Sequence, residues 1–355
     1  MNLRVAVIGA GISGLQTGCF LAQAGHRVTI FERQEFPPVN PSSIAGGMLA
    51  PYSEIETLPM RLVQVGLRGI ALWSQILGEE NAHKLIHKTG SLLLSHPADS
   101  HMLERFAKNL EILGHRWSWT GGAEIRELEP CLDRIFQKGI FIPDEAFLIP
   151  AQALEMLMEC YIQHGGQIVH AEADPATLKT DFDWVVDCRG YVENLDRDLR
   201  GVLGELVIIR NKEFHLSRPV RLMHPRYPLY IIPRPDHIFA VGASMIESAG
   251  DADGLVTARS AMELLSAAFT LHPSFAVAKI LHLQSGVRAA YPDNLPRLHI
   301  DYQNQYMRCN GLFRHGYLLA PVLACCIEKY ITEGQPDPDL ELFAGLSNHT
   351  VMQGQ

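Results

Sequence analysis

Hydrophobic and polar positions in this chain fall into blocks of two periods. The short β-branched runs LRVAVI (3–8) and HRVTIFE (26–32) flank SGLQTGCFLAQAG (13–25), whose apolar residues recur at helical spacing. This order predicts a buried parallel strand, a helix stopped by Gly25 and a second parallel strand. Helical spacing returns over residues 60–83 and 100–114, as in MRLVQVGLRGIALWSQIL. GSLLLSH (90–96) and GIFIPDEAFLIP (139–150) read as strands bounded by Gly and Pro, and PAQALEMLMECYIQHGG as a helix from Pro150 to Gly165. QIVHAE and FDWVVDCRG are predicted to return to the first sheet. Between about 200 and 285, GELVIIR, LYIIPR and HIFAVGASM alternate with hairpin-like spacing and predict a second sheet. FRHGYLLAPVLACCIEKYI (313–331) predicts a glycine-led apolar helix, and LSNHTVMQGQ (346–355) a loose tail.

The junction of the first strand and helix carries chemistry. Gly9, Gly11 and Gly14 match G-x-G-x-x-G: a tight turn, a close backbone approach to a pyrophosphate, and close packing of helix on strand. Ile12 and Ser13 open the helix, whose unpaired N–H groups and dipole favour an anion. Glu32, closing the second strand, is placed to accept hydrogen bonds from a ribose diol, with Arg33 beside it. Strand, turn, helix, strand and acid in this order predict a dinucleotide site. The turn alone leaves NAD and FAD open. The chain then enters a Pro-, Ser- and Gly-rich loop, PPVNPSSIAGGMLAPYSE (37–54), in place of further βα units. Such backbone can lie flat on a planar ring, which favours FAD.

Composition narrows the rest. The 355 residues are 47% hydrophobic and 19% charged, an ordinary globular balance. A net charge of −9 argues against nucleic acid or an anionic membrane as partner. Seven scattered cysteines form neither a disulfide framework nor a zinc spacing, so no metal site is expected, and a reducing compartment is. The N-terminus lacks secretory-signal features, and no run of about 18 apolar residues appears, so a cytoplasmic protein without a membrane span is expected.

In order along the chain, SSIAGGMLAP, YIIPRPDHIFAVGASM, SGVRAAYPDNLPRL and NGLFRHGYLLAPVLA make it resemble the D-amino-acid oxidase family of flavoproteins, most closely the glycine oxidases of the thiamine pathway. The resemblance implies an α/β fold with a discontinuous Rossmann-like FAD-binding domain (1–60, 140–200 and 286–345). A substrate or cap domain (61–139 and 201–285) would be built on a mixed, mainly antiparallel sheet plus helices. It also implies noncovalent FAD: related sarcosine oxidases attach flavin through a cysteine near the Arg288 segment, and residues 286–297 contain none. Flavin contacts are expected from Ser42, Ser43, Gly46, Gly47, Met48 and Ala173. The helix start at Leu312, Phe313, Arg314, His315, Gly316, Tyr317 and Leu318 would face the flavin's N1 and C2 carbonyl edge and favour the anionic reduced ring.

Carried over by position, Arg288 matches the arginine that grips a substrate carboxylate, a task suited to the guanidinium fork. Arg314 matches a second arginine near substrate, and Tyr230 and Met245 match pocket-wall residues. His315 and Tyr317 depart from the family's Asn and aliphatic residue, and AAYP replaces the usual Pro-Gly, placing Tyr291 near the site.

The implied reaction is hydride transfer from an amine's Cα to flavin N5, giving an imine and, with O2, hydrogen peroxide. Rivals are a D-amino-acid dehydrogenase with another acceptor, a flavoprotein oxidising a residue of a partner protein, and an NAD-binding module. The substrate is expected to be a small amine or amino acid. An oligomer is compatible with the sequence.

Overall fold

The computed structural model describes residues 2–343 apart from Thr57, His115, 224–228 and 248–252. The predicted tail at 346–355 lies outside the described residues. A six-stranded sheet runs, in spatial order, Arg297–Asp301, Tyr306–Asn310, Trp184–Asp187, Arg4–Ile8, Arg27–Glu32, Gln167–His170. Only Arg297–Asp301 is antiparallel to its neighbour. The central strand Arg4–Ile8 pairs in parallel on both edges, and Val5, Ala6, Val7 and Ile8 are buried, as a parallel strand covered on both faces requires. The strands expected at 167–172 and 182–190 do return to this sheet.

The second sheet has eight strands: Lys279–Ala290, Arg200–Arg210, Ile238–Gly242, Leu229–Arg234, Val220–Met223, Ser91–Ser95, Lys138–Ile142 and Ser118–Gly121. Its one parallel contact joins Val220–Met223 to Ser91–Ser95, so it is mixed and mainly antiparallel. Helix Ala258–Leu271, not predicted from the sequence, packs Leu264, Ala268 and Leu271 into this sheet's core. Its signals were present: Thr257 accepts a hydrogen bond from the Ser260 N–H as an N-cap, and the apolar residues recur at helical spacing. The expected cut between 285 and 286 falls inside the continuous strand Lys279–Ala290, which places Arg288 opposite Val202 in the larger sheet. The helix expected over 60–83 breaks at Gly78 (φ 77°) into Met60–Leu77 and Glu79–Leu85.

Helix Met60–Leu77 was expected on the cap side. It packs instead on helix Gly316–Glu333, sharing one core with the first helix, Ile12–Gln23. Gly69 makes the close approach feasible, since a Cβ there would lie 1.9 Å from the Leu318 carbonyl oxygen. One turn on, Trp73 Nε1 donates to the Tyr317 carbonyl at 3.1 Å and its ring stacks on Tyr317 with centroids 6.3 Å apart. That hydrogen bond answers a defect in the long helix. Pro321 has no N–H to give the carbonyl four residues earlier, and Trp73 supplies the missing donor. Beyond this helix, the buried Asp337 carboxylate accepts from Arg68 at 2.7 and 2.8 Å and from Lys329 at 2.8 Å, tying the following segment to both helices.

Two stability effects follow. Trp73→Phe keeps a ring but orphans the buried Tyr317 carbonyl, and is expected to lower unfolding free energy by about 1–3 kcal/mol in urea titrations. A change under about 0.5 kcal/mol would contradict the role given to the indole N–H. For Asp337, burial opposes ionisation but the Arg68 and Lys329 hydrogen bonds outweigh it, holding the carboxyl well below its ordinary 3.8. A depressed folded value means that the contribution is full above the ordinary 3.8 of the unfolded chain, declines below it, and is gone once pH has fallen through the folded value. Asp337→Asn should therefore cost roughly 2–4 kcal/mol near neutrality, discounted because both cations reach solvent, and much less in acid. An equal cost at about pH 7 and about pH 2.5 would rule this out.

Candidate functional site

A cavity of about 610 Å³ extends from the glycine turn to the edge of the larger sheet. At its first end Gly9 holds φ +100° and its N–H donates to the Phe31 carbonyl at 2.8 Å. Gly14 does not line the cavity: a Cβ there would lie 1.8 Å from the Gly9 oxygen, so its part is to let helix Ile12–Gln23 sit against the turn. Glu32 accepts from the Ala10 N–H at 2.8 Å and the Gln34 N–H at 3.0 Å. Its carboxylate is thereby fixed in the wall with lone pairs left for a ligand. Gly11, Ile12, Ser13, Arg33 and Ala173 also line this end. Ser13 Oγ turns to the thiols of Cys309 (3.3 Å) and Cys188 (3.6 Å), so it offers no side-chain cap. The first turn of this helix carries no acidic residue, which leaves its N–H groups suited to a phosphate.

The loop 37–54 forms one wall of the middle. Ser42 Oγ accepts the Ile12 N–H at 3.0 Å, locking loop to helix. Ser43 turns back onto Asn40, donating to its carbonyl at 2.9 Å, and lies outside the lining. Gly46, Gly47 and Met48 line the cavity, and a Cβ on Gly47 (φ +82°) would sit 2.0 Å from the Leu148 oxygen. Opposite stand Leu312, Phe313, Gly316, Tyr317 and Leu318, at the uncapped N-terminus of helix Gly316–Glu333, again without an acid in its first turn. The Phe313 N–H donates to the Ala289 carbonyl at 3.0 Å, so this turn and the strand bearing Arg288 form one frame. The Tyr317 hydroxyl is spent on the Ser42 carbonyl at 2.8 Å.

Charge concentrates at the far end. Arg314 pairs with Glu54 at 3.2 Å, and the Tyr230 hydroxyl donates to the same carboxylate oxygen. Burial opposes ionisation of Glu54, but the charges of Arg314, of His315 once acid protonates it, and of Arg221, with the Tyr230 hydrogen bond, hold its carboxyl down at about 2. Arg221 donates to the Ser53 carbonyl and to Glu56 at 2.6 Å, while buried Glu145 accepts the Ser53 N–H at 2.6 Å. Burial pushes the Glu145 carboxyl up to about 7 despite the Ser53 hydrogen bonds. Both groups fix the loop that presents Glu54.

Arg288 differs from Arg314. Its guanidinium donates only to the Ser244 carbonyl, at 3.2 Å, and among the described residues no carboxylate reaches it. Burial and then the Arg314 charge push it down to about 10, against the more distant pull of Glu54, which makes no ion pair with it. Gly204 provides its room, since a Cβ there would fall 2.1 Å from Arg288 Cζ. His315 is buried with Nε2 unpartnered; burial first, then the Arg314 and Arg288 charges, lower it to about 4, against the pull of Glu54.

Besides Gly14 and Ser43, two more expected residues lie elsewhere. Met245 is 46% exposed and outside the lining: Ser244 faces inward, donating to Glu205 at 2.8 Å, and the next side chain faces out. Tyr291 packs on Gly311 and donates to Asp196 at 3.0 Å, supporting the 311 turn from behind. Glu54 was not anticipated, because nothing in its spacing links it to an arginine 260 positions away.

Two helix N-termini free of acids, a glycine cradle and a wall carboxylate on one elongated cavity fit FAD. Glu32 and the first turn would hold its adenosine diphosphate half, and the 312–318 turn its ring. The model of the DAO family of FAD-dependent oxidoreductases matches residues 4–328. A Rhizobium etli protein assigned as a thiamine biosynthesis oxidoreductase, ThiO, is 39% identical over 342 residues, covering 95% of this chain and 99% of that one. Glycine oxidase of Geobacillus kaustophilus is 25% identical over 97% of both chains, and its crystal structure superposes with a TM-score of 0.83 over 98% of this chain and 100% of the other. Iminodiacetate oxidase of Chelativorans, at 20% identity and a TM-score of 0.81 over 96% of this chain and 98% of that one, shares the fold. The chain belongs to the DAO family: it is an FAD-dependent oxidoreductase.

Proposed function

We propose that this enzyme oxidises the Cα–N bond of a small α-amino acid, in the manner that the name glycine oxidase describes for its Geobacillus relative. The observation that carries this reading is the contrast between the two arginines. Arg314 is neutralised by Glu54, whereas Arg288, half-buried on the same cavity, has no carboxylate among the described residues to answer it. A guanidinium held in low dielectric without an anion is a receptor for one, and its fork matches a carboxylate. FAD supplies the two-electron acceptor when bound.

The residues of this chain bind and orient. Arg288 holds the substrate carboxylate, with Gly204 keeping the guanidinium in place. Tyr230 and Arg314 keep Glu54 ionised, which spaces the positive charges at this end. The cavity wall between loop 37–54 and the 312–318 turn screens the reacting carbon from water, so that orientation and fixed dipoles supply the rate. No protein base with a matched pKa is required. The imine product hydrolyses in water, and dioxygen as final acceptor gives hydrogen peroxide.

FAD held without a covalent bond agrees with the absence of cysteine from 286–297. Among the described residues no helix is long and apolar enough to cross a membrane. The seven cysteines are all free, which supports a reducing, cytoplasmic setting.

Arg288→Leu is expected to raise KM for the amino acid about 100-fold, the loss of a buried charge-assisted contact, while FAD content and the visible spectrum stay as in the parent. An unchanged KM would remove Arg288 from the carboxylate site and the reading with it.

A further inference from the structure

One buried polar group at the reactive end is used by neither the fold nor the carboxylate contact. The His315 imidazole is 2% exposed, lines the cavity, and leaves Nε2 without a hydrogen-bond partner. Burying such a group unsatisfied is costly, and native structures seldom leave one without a reason. The backbone that carries the ring is fixed. Its own backbone N–H donates to the Leu312 carbonyl at 2.8 Å, and its carbonyl accepts the N–H groups of Leu318 (3.1 Å) and Leu319 (2.8 Å), which pins it as the helix cap. The Phe313–Ala289 hydrogen bond then fixes this cap to the strand that carries Arg288.

We propose that the His315 imidazole accepts a hydrogen bond from the substrate's amino group, so that Arg288 and His315 together read the two ends of an α-amino acid. The inference rests on the proposed amino-acid reading and names the partner of the amine. An amino nitrogen stands one carbon from the carboxylate, so an acceptor on the same rigid frame as the carboxylate receptor is where an amine contact belongs.

The charged groups around the ring decide its character. Arg314 precedes it, and the charges of Arg288 on the strand and Glu54 on the loop both act on it. Burial and the two guanidiniums keep it uncharged near neutrality, lowering it to about 4 against Glu54. An uncharged acceptor flanked by two cations gives an ammonium less support than a carboxylate would. The pocket therefore favours the free amine, the form whose Cα–N bond can be oxidised. Glu54, the neighbouring acceptor, is committed to Tyr230 and Arg314.

The test compares two ligands on FAD-loaded protein: the amino acid that reduces the flavin best, and acetate, which has the carboxylate but no amine and is read by its flavin difference spectrum. His315→Leu, once loaded with FAD, is expected to raise KM for the amino acid about tenfold, the loss of one hydrogen bond, with acetate affinity unchanged. His315→Asn, which restores an acceptor, is expected to recover most of that loss. Equal weakening of both ligands by the leucine variant, no weakening of either, or failure of asparagine to rescue would overturn the assignment. If the leucine variant does not retain FAD, His315→Ala is read by the same criteria. Wild-type protein that binds acetate but is reduced by no amino acid would overturn the parent reading, an outcome separate from any result at His315.

Discussion

The reactive side of the cavity depends on how Tyr317 is held. Pro321 withholds the backbone donor its carbonyl would otherwise receive, and Trp73 of helix Met60–Leu77 provides one. Its phenol crosses to the Ser42 carbonyl, and Ser42 Oγ in turn accepts the first amide of helix Ile12–Gln23. Burial pushes the phenol well above its ordinary range, so it stays a donor. Through this one residue the two cavity-facing helix N-termini and the loop between them share a single fixed geometry. An FAD lying along this cavity would need that rigidity, because its two ends would meet segments from opposite ends of the chain, the glycine turn and 312–318.

Electrostatics then distinguish the two arginines of the far end. Ionised Glu54, gripped by Tyr230 and Arg314, satisfies one guanidinium and leaves Arg288 in want of an anion. Arg221 and Glu145 matter indirectly, by clamping the Ser53 backbone that carries Glu54 into place. A carboxylate bound at Arg288 would answer a guanidinium that has no ion-pair partner among the described residues.

Much of this was legible in the sequence where the physics is local. The first strand–helix–strand unit, its glycines and Glu32 follow from periodicity and turn chemistry, and the family motifs brought Arg288, Arg314 and Tyr230 to one cavity. Local signals could not show contacts made across long separations. The amphipathic pattern of residues 60–77 says that a face is buried but not that Gly69 and Trp73 seat the last helix. Met245 shows the limit of motif transfer, since the turn after Gly242 decides which of Ser244 and Met245 faces inward. Tyr291, expected beside the substrate, is drawn away by Gly311 and Asp196, neither of which its own motif contains. Tyr317, expected as a departure at the flavin edge, is a clamp.

In the proposed reaction a small amino acid, held by its carboxylate at Arg288, would deliver its electrons to FAD in this cavity. The most direct measurement is anaerobic mixing of the FAD-loaded protein with glycine, sarcosine and D-alanine, read by the visible flavin band. The band is expected to bleach with at least one of them and to return when oxygen is admitted. A flavin that keeps its full oxidised spectrum in the presence of all three would contradict it.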